Sequence, residues 1–402
     1  MHTFYIETVG CQMNVLDSEL ACGALLRAGF QQADAPADAD VVLFNTCSVR
    51  QHAEDKIYSA VGRLKHWKKE KPHGVLGVLG CMAQKDQQLV FRRAPLVDFV
   101  LGPGRLDVLV ETIEQLLHEK PRPKKTVCVS LPRTDISDDQ VLESFRLYNP
   151  KRMVQTIPKD APPSLVRIMF GCDQFCSYCV VPFVRGPEQS RSPQEIVREV
   201  QHLADQGVTK ITLIGQTVSS YRYQEGGKQS HLEKLLYQLA DISAIEQIDF
   251  VTNYPLSMRD DLLGAVRDLP KVSKHLHVPA QSGSDAVLAR MNRHYTSAQY
   301  REMTDRIYGT IPGATMTSDF IVGFCGETDE DFEQTVELVK YCRFRNSFVF
   351  KYSERPGTKA AELYADDVPE EVKKYRNNRL LEIQIEISRQ LAVAGVRGCE
   401  VI

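Results

Sequence analysis

No stretch of this sequence stays apolar for the roughly 18 residues that a transmembrane helix requires, so we expect no membrane-spanning segment. The N-terminal segment MHTFYIETVGC has neither a basic leader nor a long apolar region, which argues against a secretory signal and favours a cytoplasmic protein. The net charge of −3 excludes no class of partner, because a basic groove can lie on a neutral protein. The composition, 43% hydrophobic and 25% charged over 402 residues, excludes disordered, collagen-like and coiled-coil chains and suggests two or three domains.

Metal-binding histidine motifs are also missing, because the ten histidines form no H-x-x-H or H-E-x-x-H pair. The chain does have eleven cysteines. Without an export signal they argue against a disulfide scaffold, since the cytosol keeps thiols reduced. Their spacing must therefore separate ligands from core residues. Five show no pattern, and we expect them to be structural: Cys22, Cys128, Cys325, Cys342 and Cys399.

Strand and helix patterns alternate in two parts of the chain. In residues 1–120, apolar runs separated by helical segments predict a doubly wound parallel-sheet domain. In residues 164–371, six strand–helix units predict a partial (βα)6 barrel. Residues 121–163 are rich in proline and charge and are interpreted as a linker, and 372–395 read as one long amphipathic helix. The predicted strands are 3–9, 41–46, 75–80, 98–102, 165–171, 210–216, 248–254, 274–280, 315–324 and 346–353.

The densest chemical motif is GCDQFCSYC (171–179), a C-x3-C-x2-C that directly follows a predicted strand. Zinc sites usually take four ligands in paired C-x2-C knuckles, and no fourth Cys or His lies nearby. Three thiolates on one loop instead suit a four-iron cluster with one iron left open. The motif thus predicts Cys172, Cys176 and Cys179 as cluster ligands, with Phe175 and Tyr178 shielding the cluster from solvent.

Three further cysteines share a position rather than a motif. Cys11, Cys47 and Cys81 each fall just past the carboxyl end of a predicted strand, in GCQMN, NTCSVR and GCMAQ. Such strand ends lie on one edge of a parallel sheet, and neighbouring strands are about 4.8 Å apart, so the three thiols can meet in space. Each taken singly would more often be a buried core residue. The shared position favours a second metal centre.

Polar side chains follow the later strands, where barrel active sites are built. Amide, hydroxyl and carboxylate groups of this kind suit a nucleoside and an amino acid, although each alone is often a turn or core residue. Arg355 and Lys359 lie on a loop expected near the same end of the barrel. The candidates at the strand ends are Gln216, Ser219, Gln281, Ser282 and Asp319.

Several segments together resemble one enzyme family. GCDQFCSYCVVPFVRG resembles the cluster loop of radical S-adenosylmethionine enzymes, and GCQMN, NTCSVR and GCMAQ look like the amino-terminal domain of the methylthiotransferases among them. GQTVSSY, PAQSGSDAVLARMNRHYT, DFIVGFCGETDEDF and YSERPGTKAA are similar to later motifs of that family, so the resemblance runs from about residue 3 to 390. GCQMN and YCVVPFVRG are most similar to the branch that modifies isopentenylated adenosine in tRNA.

This resemblance implies two [4Fe-4S] clusters and S-adenosyl-L-methionine as cofactors. Cys172, Cys176 and Cys179 would hold the cluster that cleaves the cofactor, giving a 5′-deoxyadenosyl radical that takes the hydrogen from carbon 2 of an adenine. Cys11, Cys47 and Cys81 would hold an auxiliary cluster carrying the sulfur, and a second S-adenosylmethionine would supply the methyl group. The strand-end candidates, Phe175 and Tyr178 would then contact the cofactor, and Arg185, Arg355 and Lys359 the substrate.

The expected partners are a tRNA anticodon stem-loop and an electron donor such as flavodoxin or ferredoxin, with the protein a monomer and no membrane involved. The sequence also departs from the family pattern. Thr217 and Ser219 replace asparagines of GQNVN, Asn253-Tyr254 replace a Ser-His pair, and Cys325 replaces the proline of GFPGE. The family normally ends in a small β-barrel RNA-binding module, which we expect to be missing or truncated here, with 396–402 as its start. Weaker tRNA affinity would follow.

Other functions remain open at this point. A related enzyme acts on threonylcarbamoyladenosine in tRNA, and another on an aspartate of a ribosomal protein, although the latter normally has Pro-Lys where this chain has Gln12-Met13. A non-catalytic iron–sulfur electron carrier would not need the polar groups at the strand ends. A zinc-binding module is a further alternative.

Overall fold

The structure is a computed structural model that describes residues 1–48, 51–119, 125–129 and 162–395, without the side chains of 51–53 and 228. Its contacts divide the chain into two compact units. The first comprises the described residues up to 129, together with Phe170–Cys172 and Val180–Gln189. The second comprises the described residues from 162 to Met169, Asp173–Cys179 and those from Ser190 onward. The domain boundary at 163/164 stays a prediction, and Cys399 and the segment 396–402 lie outside the described residues.

A six-stranded, fully parallel sheet forms the centre of the first unit, in the order β2-β1-β3-β4-β5-β6. It confirms the predicted fold class for this part of the chain. The strands are β1 (Thr3–Val9), β2 (Gln31–Gln32), β3 (Val41–Thr46), β4 (Val75–Gly80), β5 (Phe99–Leu101) and β6 (Thr126–Cys128). The helices are α1 (Gln12–Arg27), α2 (Gln51–Arg63), α3 (Lys65–Glu70), α4 (Cys81–Asp86), α5 (Gln88–Arg93) and α6 (Leu109–His118).

The two central strands explain why this sheet is buried. All six residues of β3 and of β4 are inaccessible, as expected of apolar runs covered on both faces. Val42, Phe44 and Val78 share an apolar core with residues of α2–α5, while α1 and α6 contact the sheet and each other. Strand β6 lies in the segment interpreted as a linker, so at least residues 126–128 belong to the sheet.

Six parallel strands in the second unit confirm the predicted partial barrel. They form two three-stranded sheets, β7-β10-β13 and β14-β15-β16, and Asn253 joins them by donating its backbone N–H and its side-chain amide to the carbonyl of His277. An antiparallel hairpin, β11–β12, follows β10 and was not predicted. The strands from β7 onward are Ser164–Arg167, Met169–Phe170, Gln189–Ser190, Lys210–Ile214, Arg222–Glu225, Lys228–His231, Gln247–Phe250, His275–His277, Thr315–Val322 and Asn346–Lys351, numbered β7 to β16.

Helices follow these strands, and several of them start at a side-chain cap. Ser192, Ser284, Thr296, Thr328 and Thr358 each accept a backbone N–H from the first turn of their helix, an arrangement worth about 1 kcal/mol per helix. From α7 to α15 the helices are Val181–Val184, Pro193–Asp205, Leu232–Ala240, Asp260–Asp268, Asp285–Arg290, Ser297–Thr310, Asp329–Cys342, Lys359–Leu363 and Glu370–Val393.

The long helix predicted at 372–395 is α15. Its buried residues recur at helical spacing, but most are polar rather than apolar. Gln384 donates to the carbonyl of Phe344, and Arg376 pairs with the buried carboxylate of Glu327 at 2.8 Å. Hydrogen bonds as well as apolar contacts thus hold this helix against the barrel. Among the described residues, no helix combines the length and apolarity needed to cross a bilayer.

Candidate cysteine sites

The register of the first sheet brings Cys11, Cys47 and Cys81 to one edge. Val9 pairs with Thr46, and Thr46 pairs with Gly80, so the three strands end level with one another and a cysteine follows each. The backbone N–H of Cys47 donates to the carbonyl of Val9 at 3.0 Å. We call these three cysteines and the side chains that contact them the sheet-edge site.

The thiols interact with one another. The Cys47 thiol hydrogen-bonds the Cys11 sulfur, which lowers the pKa of Cys11 to about 5 although burial opposes the shift. Burial raises the pKa of Cys81, and the charge of Arg185 opposes that effect. Cys11 is exposed whereas Cys47 and Cys81 are buried. The site therefore combines one exposed cysteine residue with two buried ones.

An asparagine network that sequence reasoning missed joins the three loops. Asn45 donates to the carbonyl of Asn14 at 2.8 Å and to Ser18 Oγ at 2.9 Å, and Asn14 donates to Asn45 Oδ1 at 3.2 Å. Gly80, at φ +91°, lies so close that an added Cβ would be 2.3 Å from Asn45 Oδ1. The sequence did contain a pattern that could have indicated this network. Asn14, Asn45 and Gly80 each lie within three residues of one of the three cysteines, in GCQMN, NTC and LGC.

Arg185 completes the sheet-edge site. Its Nε donates to Cys81 Sγ at 3.2 Å and its Nη2 to Asp17 Oδ2 at 2.8 Å. Val180, directly before α7, and Val184, the last residue of α7, pack against Cys81. The predicted contact of Arg185 with substrate stays a prediction, and in the structure this guanidinium is directed at a cysteine and an aspartate of its own unit.

The motif loop, residues 171–179, begins at a backbone position that only glycine can occupy. Gly171 has φ +68°, and a Cβ there would lie 1.8 Å from the carbonyl oxygen of Pro187. The N–H of Cys172 donates to the carbonyl of Gly186. In the second unit, the N–H of Cys179 donates to the carbonyl of Cys176 at 3.0 Å, which makes the last part of the motif a tight turn.

Residues 290–293, which follow the PAQSGSD motif, hold the middle of the motif loop. Arg293 Nη1 donates to Cys176 Sγ at 3.2 Å, and Asn292 Nδ2 donates to the carbonyl of Phe175 at 2.9 Å. Ser177 donates from its N–H to the carbonyl of Met291 and from its hydroxyl to that of Arg290. The rings of Tyr254 and Tyr295 lie 4.9 and 5.0 Å from the Arg293 guanidinium, a cation–π arrangement. Sequence reasoning did not assign Arg293 a role.

The two aromatic residues of the motif differ in environment. Tyr178 packs edge-on against Phe324 at 6.4 Å. Phe175 has φ +48° and is 40% exposed. That either ring shields a cofactor stays a prediction, and Tyr178 has the more enclosed position.

The polar candidates at the barrel strand ends fall into two groups. Ser219 Oγ accepts the N–H of Tyr254 at 2.8 Å, and the Ser282 hydroxyl lies 3.2 Å from Thr335 Oγ1, so both serines are engaged in holding the fold. The side-chain amides of Gln216 and Gln281 have no hydrogen-bond partner in the described part of the chain. Asp319 lies 3.5 Å from His277 Nε2. That these last three contact the cofactor stays a prediction.

Two basic candidates lie near the last strand. Arg355 is buried, and its carbonyl accepts the hydroxyl of Thr358. Lys359 is exposed and pairs with Glu362 at 2.7 Å. Their contact with substrate stays a prediction.

Four of the cysteines expected to be structural lie in the described residues. Cys325 and Cys342 are buried, the former in an apolar cluster with Val287, Phe324 and Tyr352. Burial raises the pKa of Cys22 to about 11 and also raises that of Cys342. Cys128 lies on β6, with its sulfur 3.9 Å from Thr112 Oγ1.

The donor chemistry of the sheet-edge site fits a cluster. It has three thiols, one with a pKa near 5, and a guanidinium nitrogen, Arg185 Nη1, that is buried and has no acceptor in the described part of the chain. Sulfur atoms of a bound cluster are acceptors for such a group. Within the described ranges no three His, Cys, Asp or Glu side chains converge closely enough to hold one metal ion, whereas the ligands of a cluster surround several irons.

Comparison with known proteins matches both parts of the chain. Residues 3–102 match the family described as "Uncharacterized protein family UPF0004", and residues 166–339 match the radical SAM superfamily. A tRNA-2-methylthio-N(6)-dimethylallyladenosine synthase of Rhodopirellula baltica is 53% identical over 96% of this chain and 80% of its own length. Enzymes of the same name from Caldicellulosiruptor saccharolyticus and Bordetella pertussis are 41% and 42% identical over 100% and 96% of this chain, and over 82% and 83% of their own lengths.

Solved structures agree on the fold. The radical S-adenosylmethionine methyltransferase TsrM from Kitasatospora setae, solved with cobalamin and a [4Fe-4S] cluster, has a TM-score of 0.63 at 13% identity and covers 90% of this chain and 77% of its own. The cobalamin-dependent radical enzyme OxsB has a TM-score of 0.55 at 11% identity and covers 95% of this chain and 56% of its own. At these identities the likeness concerns the α/β fold alone.

Proposed function

Because the chain belongs to the radical S-adenosylmethionine methylthiotransferase family, in the branch of the tRNA-2-methylthio-N6-dimethylallyladenosine synthases, we propose that it inserts a methylthio group at carbon 2 of N6-isopentenyladenosine next to the anticodon of tRNA. The observation that carries the proposal is the meeting of Cys11, Cys47 and Cys81 at one sheet edge, in a chain that also has the C-x3-C-x2-C loop. An electron carrier would not need the polar side chains that follow the barrel strands, such as Gln216, Gln281 and Asp319.

Each set of thiols has its own role in this proposal. Cys172, Cys176 and Cys179 would hold one [4Fe-4S] cluster, and the sheet-edge cysteines the other. When bound, the clusters and S-adenosyl-L-methionine supply the radical chemistry, the sulfur and the methyl group. Arg293 positions Cys176, and the network of Asn14 and Asn45 positions the loops that bear Cys11, Cys47 and Cys81.

The side chains at the barrel strand ends would orient the cofactor. Gln216 and Gln281 have no hydrogen-bond partner in the described residues, and the backbone of Gln281 is fixed by a bond to the carbonyl of Asp319 at 2.8 Å and by one from Ile321 at 2.9 Å. The φ of +68° at Gln281 is unusual for a residue other than glycine, and such conformations concentrate at functional sites. Amides held in this way suit hydrogen bonds to a nucleoside.

The proposed partners follow from this chemistry. A tRNA anticodon stem-loop can present an adenine that is splayed out of its stack and read by edge contacts and stacking. Exposed Lys359 is a candidate for phosphate contact. A flavodoxin or ferredoxin would supply the electron, the protein would act as a monomer, and a tRNA substrate implies the cytoplasm.

Mass spectrometry of tRNA nucleosides tests this function. A strain that lacks the gene should contain N6-isopentenyladenosine but no 2-methylthio derivative, and the intact gene should restore it. A matched Cys22→Ala copy, altered at a cysteine in α1 outside the sheet-edge site, should also restore it, whereas Cys47→Ala should not. Unaltered nucleosides in the deletion strain would refute the proposal, and loss of a methylthiolated threonylcarbamoyladenosine instead would assign the protein to the other tRNA substrate.

A further inference from the structure

Arg185 is enclosed almost completely although it is charged. Its side chain is 1% exposed, and so is that of Asp17, its partner on α1. Burying a charge is costly unless it is paired and its hydrogen-bonding groups are satisfied. The Asp17 carboxylate compensates the charge of Arg185 and accepts a hydrogen bond of 2.8 Å from Nη2, but it does not accept from the other guanidinium nitrogens of Arg185.

The donors of Arg185 point to a sulfur-rich ligand. Nε donates to Cys81 Sγ at 3.2 Å, while Nη1 is buried with no acceptor among the described residues. A buried N–H without a partner costs about 1–3 kcal/mol, so a purely structural arginine at this position is disfavoured. The charge of the same guanidinium also lowers the pKa of Cys11. Arg185 therefore interacts electrostatically with two of the three proposed cluster ligands, Cys11 and Cys81.

A cluster held by three thiolates is anionic and has several sulfur atoms that accept hydrogen bonds. Hydrogen bonds to those sulfurs, net charge and burial set the reduction potential of a cluster. We propose that Arg185, fixed by Asp17, is a positioning residue that donates N–H groups to the sulfur atoms of the cluster at the sheet-edge site and raises its reduction potential. This inference rests on the proposed function for the identity of the bound group.

Arg293 supplies an internal control. It also donates to a sulfur of the motif loop, Cys176 Sγ, at 3.2 Å. Its Nε donates to the Tyr295 hydroxyl and its Nη2 to the carbonyl of Pro279. Every Arg293 guanidinium nitrogen therefore has a protein partner, whereas one Arg185 nitrogen has none among the described residues. A change at Arg293 should leave the sheet-edge cluster unaffected.

The experiment uses the full chain with Cys172, Cys176 and Cys179 replaced by Ala, reconstituted anaerobically so that only the sheet-edge cluster is present. Its potential is measured by a redox titration followed by electron paramagnetic resonance. We expect Arg185→Gln to lower the equilibrium constant for one-electron reduction about tenfold, which corresponds to 59 mV. Arg185→Lys, which keeps the charge and a donor, should recover part of the shift, and Arg293→Gln should give none.

Asp17→Asn provides a second and opposite test. It keeps the shape and an acceptor for Arg185 but removes the compensating negative charge, so the potential should rise. This variant still decides the question if Arg185→Gln does not fold. An unchanged potential in Arg185→Gln with full iron content, or in Asp17→Asn, would overturn the inference. If the parent variant binds no iron and sulfide at all, the failure lies with the proposed function.

Discussion

The sheet-edge site and the motif loop collect three cysteines in opposite ways. Cys11, Cys47 and Cys81 are more than 30 residues apart in sequence and meet only because β1, β3 and β4 end in register. The cysteines of the motif loop lie within nine residues of chain, and contacts from the segment 290–293 fix the part of the loop around Cys176. The first site therefore depends on the register of three strands, whereas the cysteines of the second are already neighbours in the sequence.

The sheet-edge site and the motif loop each have an arginine that contacts a cysteine sulfur. Arg185 and Arg293 each donate to a cysteine sulfur at 3.2 Å, although the first is paired with an aspartate and the second lies close to two tyrosine rings. A low-dielectric surrounding strengthens such bonds. Two cysteine sites that are built by different routes thus have the same kind of hydrogen-bond donor.

The largest expected effect separates the two sets of cysteines by activity. Replacing Cys11, Cys47 and Cys81 with Ala should abolish methylthiolation but leave formation of 5′-deoxyadenosine, because the motif loop is intact. Replacing Cys172, Cys176 and Cys179 should abolish both. Chromatography of products from anaerobic assays measures the two activities. Methylthiolation by the first variant would break the proposed division of roles.

A glycine substitution tests how closely the sheet-edge loops are packed. Gly80→Ala would place a Cβ 2.3 Å from Asn45 Oδ1 at φ +91°, whereas the Cβ of Gly29→Ala, at φ +87°, would have no atom of the described residues within 4 Å. The strained backbone alone costs about 1–2 kcal/mol, and the clash should add about 1–3 kcal/mol. Urea denaturation should therefore show a larger loss for Gly80→Ala, accompanied by loss of the sheet-edge cluster. Equal losses would mean that these loops have room to adjust.

Asn45 and Asn292 allow the stability of the two cysteine sites to be compared through single hydrogen-bonding side chains. Asn45→Ala removes bonds to Asn14 and Ser18 within the buried sheet edge, and we expect a loss of about 2–3 kcal/mol together with reduced iron content. Asn292→Ala removes an exposed bond to the carbonyl of Phe175, and about 1 kcal/mol is expected.

Asn292→Gly serves as the control, because it loses the same bond but tolerates the φ of +54° at this position. Denaturation midpoints and iron analysis of the three variants measure the effects. If Asn292→Ala destabilised the protein more than Asn45→Ala, the idea that the sheet-edge site depends more on the fold would fail.

The smallest expected effect is a pH dependence of folding stability that arises from His275 in the barrel. Burial of His275, aided by the charge of Arg345, lowers its pKa from 6.5 to about 4. As pH falls from 6.5 toward 4, the unfolded chain therefore takes up a proton that the folded chain does not, and stability decreases. His275→Gln should flatten this dependence of the urea midpoint. An identical slope in wild type and variant would show that His275 does not contribute.

The sequence predicted those features that follow from chain periodicity. Apolar runs located β1, β3 and β4, and the rule that strand ends share one edge was sufficient to bring Cys11, Cys47 and Cys81 together. Strand β6 escaped prediction because three residues are too few to show a pattern, and the β11–β12 hairpin because its strands are polar.

The hydrogen-bond partners of individual side chains could not be predicted from the sequence. Ser219 and Gln216 look equivalent in GQTVSSY, yet the serine bonds to the backbone of Tyr254 while the amide has no partner in the described residues. The contacts of Arg185 and Arg293 with sulfur join residues more than 100 positions apart, and no local pattern records them. These partners depend on tertiary packing.

Iron and sulfide content after anaerobic reconstitution tests the two-site account most directly. The wild-type chain should hold about eight irons, and each triple cysteine variant should hold about four with matching sulfide. If replacing Cys11, Cys47 and Cys81 left all of the iron in place, or if replacing Cys172, Cys176 and Cys179 removed all of it, the chain would not contain two independent clusters.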